Sequence, residues 1–204
     1  MKTILSILLI SFVSITTALA QQQGSQCVTL AGGFSYTRNS NTEETPDVLS
    51  FEISPDYGYF IHNKIKIGLG LSFGYQTQKI PGQGDLKTKL FGAGPTLSIY
   101  FPIGEKFFIT PNLSFALVFG NNTLNSISSS PLNYDSQDLK GFAGGLYPLQ
   151  IEFRPKENFG IAVSMVSITL SHLEEDTTSK IKAEINQQTF DIGLNPSIGF
   201  CFYF

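Results

Sequence analysis

Residues 190–204 read FDIGLNPSIGFCFYF, and this C-terminal stretch sets the expectation for the whole chain. Almost every even position, from Phe190 to Phe204, is large and apolar, whereas the odd positions as far as Gly199 are small or polar. Alternation of this length is typical of a β-strand with one apolar face and one small, polar face. The stretch therefore predicts a long strand at the end of the fold.

Seven earlier segments repeat the same alternation, most clearly at 65–76, where Ile, Leu, Phe and Tyr alternate with Gly, Ser, Lys and Gln. The predicted strands lie at about 27–38, 48–60, 65–76, 88–101, 107–120, 141–153, 159–171 and 190–204. The polar connections between them alternate between long and short, as in a meander of antiparallel hairpins whose two ends differ. The sequence therefore predicts an all-β, eight-stranded antiparallel up-and-down barrel.

The N-terminus has the features of a secretory signal peptide. Lys2 supplies a positive charge, residues 4–17 form a short apolar run, and the small residues Ala18 and Ala20 suit a cleavage site. We predict that residues 1–20 are removed after Ala20 and that 21–204 form one barrel domain. A transmembrane anchor is the alternative, but the run is shorter than the ~20 residues that a spanning helix needs.

The composition excludes several classes of function. Only 14% of the residues are charged, well below the ~25% of an ordinary soluble domain. Thirteen basic against sixteen acidic residues give no basic excess, so no nucleic-acid partner is expected. The sequence contains no metal-ligand spacing, phosphate-binding glycine loop or nucleophile elbow. We therefore expect no metal, no cofactor and no enzymatic activity.

The size of the lumen decides which face of the barrel points outward. An eight-stranded barrel is only just wide enough inside for side chains, and about forty bulky apolar residues would overfill it. A soluble barrel would also need an outer surface with roughly 25–35% charged residues, which the small-residue face does not offer. The apolar face is therefore predicted to face lipid, and closure of the sheet pairs the backbone groups that water cannot solvate there.

Five prolines conflict with uninterrupted strands, because proline donates no hydrogen bond to a neighbouring strand. We expect them at bulges or strand ends. They are Pro55, Pro95, Pro111, Pro148 and Pro196.

Three short motifs carry a resemblance to a known family. The run ISP at 53–55 followed by GYFI at 58–61, the run LNPSIG at 194–199 and the terminal Phe204 resemble the eight-stranded outer-membrane β-barrel domain family of Gram-negative bacteria, with its OmpA/OmpX-like and PorT-like members. The resemblance implies that the protein lies in the outer membrane, with the termini and short turns in the periplasm and the long loops outside the cell.

The same resemblance implies partners. In this family an aromatic C-terminal strand is the signal read by the outer-membrane assembly machinery, and Phe200, Phe202 and Phe204 match that pattern. The expected partners are therefore outer-membrane lipids and the assembly machinery. A protein partner outside the cell or in the periplasm is left open.

The chain has two cysteines, Cys27 in the first predicted strand and Cys201 in the last. These strands are neighbours in a closed barrel, and an exported protein lies in an oxidising compartment. We predict a disulfide across the closing seam, because neighbouring strands allow the required Cα separation of ~4.4–6.8 Å. Two unpaired, buried thiols are the alternative.

Several polar residues share the small-residue face and are predicted to point into the lumen. Those selected as a lumenal polar network are Glu52, Asp56, Lys66, Asn112, Glu152 and Asp191. Charges in so narrow a space need partners, and Lys66 is the expected partner of Glu52, Asp56 or Glu152. A path for protons or small ions is the alternative.

The sequence thus favours an integral barrel with a filled polar lumen. Its role would be structural, or interaction through outer loops such as 121–140, or accessory to assembly or secretion. One alternative is a barrel enzyme that acts on lipid or peptide at the outer rim, where Ser171 and His172 are adjacent. Another is a narrow passive pore.

Overall fold

The computed structural model describes residues 23–37, 47–80, 84–126, 137–176 and 185–204, so the predicted signal peptide and its cleavage site lie outside the described residues. Within these ranges the chain forms ten strands: β1 (Gln26–Thr37), β2 (Val48–His62), β3 (Ile65–Ile80), β4 (Gly84–Ile99), β5 (Phe101–Pro102), β6 (Phe107–Ile109), β7 (Asn112–Ser126), β8 (Gln137–Lys156), β9 (Phe159–Asp176) and β10 (Ile185–Tyr203).

None of the described residues forms a helix long and apolar enough to cross a membrane.

Eight of the strands form a closed ring in the order β1-β2-β3-β4-β7-β8-β9-β10, and every pairing is antiparallel. The ring closes where β10 returns to β1, with Cys27 opposite Tyr203 and Gly32 opposite Ile198. At the seam, Gln26 and Phe204 each donate a backbone hydrogen bond to the other, at 3.1 and 3.0 Å. The predicted eight-stranded up-and-down barrel is confirmed.

The two ends of the barrel differ. The end that we call the turn end holds the short turns at 63–64, 103–106 and 157–158 together with Phe204. The opposite end, at which β1, β3, β7 and β9 finish, is called the loop end. The ladders run further toward the loop end than predicted, because Asn121 pairs with Asp138 beyond the last apolar residues. Residues 121–126 and 137–140 of the predicted loop are therefore strand.

Two of the predicted strands are interrupted near the turn end. The fourth breaks at Tyr100 to give β4 and β5, and the fifth breaks at 110–111 to give β6 and β7. Pro111 has no N–H to offer, while its carbonyl oxygen accepts a hydrogen bond from the Ile99 N–H at 3.1 Å. The short strands β5 and β6 pair with each other, and β6 continues the ring onto β8.

The prolines divide into two groups. Pro111 lies at a strand break, and the register shifts beside Pro148 and Pro196 mark bulges, as predicted. Pro55 and Pro95 instead lie inside strands, at points where the register does not shift and the pairing lapses on one side only. The prediction is therefore wrong for these two, because a strand tolerates proline where one of its two ladders is locally open.

The apolar face of the ring is the outer one. Large apolar side chains such as Phe34, Leu117 and Phe190 are exposed, whereas Ala162, Ser164 and Ser167 are buried on the inside. The parity of the sequence predicted this arrangement, and it leaves the small and polar side chains to form the lumen.

Candidate functional site

Bulky buried side chains cluster inside the barrel at the turn end. We call this cluster the plug and define it as Phe60, Tyr100, Phe108, Glu152, Arg154 and Tyr203. All six side chains are buried. The rings of Phe60 and Tyr100 lie 5.0 Å apart between centroids, and those of Tyr100 and Phe108 lie 6.4 Å apart. Aromatic contacts at these separations add to the stabilisation that burial provides.

The plug contains a buried ion pair, Glu152 with Arg154, that is hydrogen-bonded to Tyr203. Glu152 Oε1 accepts hydrogen bonds from Arg154 Nε at 2.6 Å and from the Tyr203 hydroxyl at 2.5 Å. Arg154 Nη2 donates to the same hydroxyl at 3.0 Å. The guanidinium also lies over the rings of Tyr203 and Phe108, at 4.0 and 4.4 Å from their centroids. Such stacking is worth about 2 kcal/mol where water is excluded.

Two glycines provide the space for the lumenal charges. A Cβ atom at Gly160 would lie 2.6 Å from Glu152 Oε1, and one at Gly58 would lie 2.5 Å from Lys66 Cδ. Both distances are below any ordinary contact of a Cβ atom. The small face of the sequence therefore holds glycine where a neighbouring strand delivers a long charged side chain.

A second charged cluster lies next to the plug. Lys66 Nζ is 2.7 Å from Asp56 Oδ1, and the Thr96 hydroxyl donates to Asp56 Oδ2 at 2.6 Å. Asp56 is thus the partner of Lys66 among the three carboxylates considered from the sequence. Lys66 is buried, so its charge depends on this contact.

The remaining predicted lumen residues do not join one network. Glu52 accepts a hydrogen bond from the Ser54 hydroxyl at 2.9 Å, and Asn112 Nδ2 donates to Ser98 Oγ at 2.8 Å. The side chain of Asp191 lies outside the described part of the structure. The polar lumen therefore consists of separate clusters.

Sequence reasoning missed Arg154, because the apolar alternation stops at Phe153 while β8 continues to Lys156. It also did not single out the aromatic members of the plug. A usable signal was present, since Phe60, Tyr100, Phe108 and Tyr203 are bulky residues on the small-residue face, all near the turn end.

Above the plug the lumen is hollow. A cavity of about 590 Å³ extends from Lys66, Tyr100, Glu152 and Cys201 toward the loop end. Its wall is rich in glycine, alanine and hydroxyl side chains, because these are the inward positions of the strands. The buried hydroxyls of Ser164 and Ser167 have no hydrogen-bond partner among the described residues. Side chains therefore occupy the lumen near the turn end, whereas a cavity remains toward the loop end. The sequence had predicted a lumen filled along its whole length.

The two cysteines lie side by side at the seam as thiols. Cys27 is opposite Tyr203 and Cys201 is opposite Thr29, so the cysteines are diagonal neighbours. The Thr29 hydroxyl lies 3.5 Å from Cys27 Sγ and 3.7 Å from Cys201 Sγ. The disulfide stays a prediction. The two cysteines occupy diagonal positions of the ladder, which are more widely spaced than directly opposite ones.

The adjacent pair Ser171 and His172 does not form a single site. Ser171 lines the lumenal cavity, whereas the His172 ring packs outside against Phe142, 5.3 Å between centroids. His172 Nε2 also lies 3.5 Å from Glu174 Oε1. Successive residues of a strand point to opposite faces, so the serine and histidine cannot act on one substrate. Within the described ranges there is also no group of three His, Cys, Asp or Glu side chains placed to hold a metal ion.

Comparison with known proteins finds similar folds among solved structures. No protein-family model matches the chain, and no curated protein resembles it in sequence. A major outer membrane protein from Thermus thermophilus matches with a TM-score of 0.53 at 10% identity, over 89% of this chain and 100% of that one. The outer membrane protein OprG from Pseudomonas aeruginosa matches with a TM-score of 0.47 at 14% identity, over 91% of this chain and 98% of that one.

The fold is that of an outer-membrane β-barrel. The N-terminal barrel domain of Pseudomonas aeruginosa OprF is a further match, with 19% identity over 90% of this chain and 100% of that one, at a TM-score of 0.42. Identities this low concern the fold alone. In an outer-membrane barrel, the exposed aromatic side chains of Phe200, Phe202 and Phe204 lie on the lipid-facing side of the closing strand.

Proposed function

We propose that the protein is an integral outer-membrane barrel that does not conduct and that acts through its loop end. The observation that carries this proposal is the plug at the turn end. Six buried side chains fill the lumen there, and the ion pair among them is hydrogen-bonded to a third member of the cluster, Tyr203. A continuous water-filled path would have to pass through this cluster.

The energetics of the plug support a closed barrel. Opening the plug would break the hydrogen bonds of the buried Glu152–Arg154 pair and would expose the aromatic rings packed around it to water. Glu152 and Arg154 are further tied to Tyr203, next to the C-terminus, so opening the plug would disturb the closing seam. Spontaneous opening is therefore expected to be rare.

The proposed placement has the termini in the periplasm and the loop end outside the cell, with residues 1–20 removed after Ala20. The outward aromatic residues Phe200, Phe202 and Phe204 support recognition of β10 by the assembly machinery. With the lumen closed, the loop end is the part of the barrel available to a partner. A structural or interaction role, or one accessory to assembly or secretion, fits this arrangement.

Planar-bilayer recording tests the central claim. We expect the refolded protein to show no steady ohmic current, whereas a triple variant with Phe60→Ala, Tyr100→Ala and Phe108→Ala is expected to conduct. Ser167→Ala, a lumenal change away from the plug, is the matched control and should stay silent. A steady current through the unaltered protein would favour the narrow-pore alternative.

A second experiment addresses the partner. Residues 127–136 are replaced by a short Gly-Ser linker, and proteins retained by the intact and altered barrels are compared after pull-down. A partner lost with this segment supports action through the loop end. An identical set of retained proteins argues that the barrel serves as a membrane component without a partner at this segment. Heat-modifiable migration on gels confirms that both variants are folded.

A further inference from the structure

Two lysines point outward from the barrel near the loop end. On β4 the even residues Thr88, Leu90 and Gly92 line the lumen. The odd residues therefore face outward, and Phe91 on that side is exposed. Lys87 and Lys89 share this outward face with Phe91, and a cation on a lipid-facing surface calls for an explanation.

The lysines lie just beyond the edge of the apolar band. Along β4 and β5 the outward residues from Phe91 to Phe101 carry no charge. That length corresponds to about 34 Å along the strand, or about 26 Å along the axis at a tilt near 40°. The apolar band of such barrels is about 25 Å tall, so Lys89 reaches the level of the lipid headgroups.

The cross-strand neighbours of the two lysines carry no charge. Across the ladders, Lys87 lies opposite Thr77 and Thr123, and Lys89 lies opposite Tyr75 and Asn121. By contrast, Lys79 lies opposite Asp85, and Lys140 lies opposite Glu174. Asp85 precedes Lys87 by two positions on the same face, and it is the nearest carboxylate along the strand. No ion pair is formed by Lys87 or Lys89 within the described ranges.

An apolar groove begins directly below Lys89. It is lined on the outside by Phe73, Phe91 and Phe119, with Tyr75, Lys89 and Asn121 at its upper end. The rings of Phe73 and Phe91 meet edge to face at 5.1 Å between centroids. The groove thus combines an acyl-chain surface with a cationic end.

We propose that Lys87, Lys89 and this groove bind one phosphorylated glycolipid of the outer leaflet, of the lipid A type. Residues two apart on one face of a strand are separated by about 6.5–7 Å, so two ammonium groups can contact one phosphate. The uncharged side chains of Tyr75, Thr77, Asn121 and Thr123 offer further donors to its oxygens. An acyl chain of the same molecule lies along the three phenylalanines. Only a lipid uses both the cations and the groove.

This inference rests on the outer-membrane placement proposed above, and its test separates the two. The full barrel is refolded in nanodiscs of zwitterionic lipid, and binding of added lipid A is measured by native mass spectrometry. The double variant Lys87→Gln, Lys89→Gln is compared with Lys106→Gln, Lys156→Gln. The control pair removes the same charge from exposed positions at the turn end.

We expect the Lys87, Lys89 variant to bind lipid A about thirtyfold more weakly, because each lysine near an anionic headgroup contributes a factor of about five. The control variant should bind as the unaltered protein does. The charge-preserving change Lys87→Arg, Lys89→Arg should retain binding, which separates charge from folding. Equal weakening in both glutamine variants, or in neither, overturns the proposal.

Two further arms distinguish the source of the phosphate. Inorganic phosphate added at the concentration of the lipid should not compete, and phosphatidylglycerol should compete only weakly. Competition by inorganic phosphate would mean a site for the free ion and overturn the lipid assignment, and equal competition by phosphatidylglycerol would overturn the glycolipid assignment. Failure of the barrel to fractionate with the outer membrane would instead contradict the proposed placement, whatever the nanodiscs show.

Discussion

Thr29 on β1 lies directly opposite Cys201 on β10, and its hydroxyl is 3.7 Å from the Cys201 sulfur. The same hydroxyl is 3.5 Å from Cys27 Sγ, so one threonine contacts both thiols at the closing seam. The two cysteines are therefore already neighbours on adjacent strands.

We predict that Cys27 and Cys201 form a disulfide when the protein matures in an oxidising envelope. Intact mass measured without reductant should then be lower than after reduction by the mass of two hydrogen atoms. The bond closes nearly the whole chain into a loop, so Cys27→Ala with Cys201→Ala should lower the free energy of unfolding by up to about 5 kcal/mol. Two thiols that react with an alkylating agent in the unreduced, denatured protein would contradict the prediction.

We predict that Arg154→Ala destabilises the barrel by about 3–5 kcal/mol, because it leaves the buried carboxylate of Glu152 without its cation. Urea-induced unfolding in lipid vesicles, followed by gel migration, measures the effect. Lys156→Ala on the same strand removes an exposed cation and should change stability by less than about 0.5 kcal/mol. The combined change Glu152→Ala with Arg154→Ala should recover part of the loss. Equal effects of the Arg154 and Lys156 variants would show that the ion pair is unimportant.

We predict that Gly160→Ala costs about 1–3 kcal/mol, because its Cβ atom would lie 2.6 Å from Glu152 Oε1. Glu152 would have to leave its hydrogen bonds with Arg154 and Tyr203. Gly33→Ala, also on the lumenal side, is the control, since no atom lies within 4 Å of its added Cβ. In the same unfolding measurement, Gly160→Ala should lower the free energy of unfolding and Gly33→Ala should not. If Gly160→Ala left it unchanged, the Glu152 carboxylate would be able to move aside without cost.

The architecture was predictable because the sequence alternates between large apolar and small or polar residues. The alternation at 65–76 and 190–204 specifies strands, the small inner residues specify a narrow lumen, and eight such strands specify closure. The plug was not predictable in the same way. Arg154 follows the last alternating residue, and its partner Tyr203 is 49 positions away in the sequence. Which inward residues meet depends on register, and the shifts beside Pro148 and Pro196 change it without any periodic signal.

The charged residues of the lumen show the same limit of sequence-based prediction. The sequence identified Lys66 as an inward cation, but three carboxylates shared its face. The ladder between β2 and β3 places Phe60 opposite Lys66 and Asp56 opposite Gly70, so the lysine side chain reaches along the lumen to Asp56 at 2.7 Å. Composition and parity identify which charged residues point into the lumen. The strand register of the closed sheet decides which of them form ion pairs.

The outward face of β7 offers a test of how the barrel lies in the bilayer. Leu113 is half exposed and lies opposite Leu97, near the middle of the apolar band, and Asn121 lies on the same face beyond Phe119, toward the loop end. We predict that Leu113→Lys costs about 2–4 kcal/mol, because a lysine at the bilayer midplane cannot reach water, whereas Asn121→Lys costs only about 0–1 kcal/mol. Unfolding of both variants in vesicles gives the two values. A barrel that packs its apolar face against another protein would respond to shape as well as charge, so Leu113→Ala serves as the control. If Leu113→Ala destabilised the barrel as much as Leu113→Lys, the outer face would not be lying against lipid.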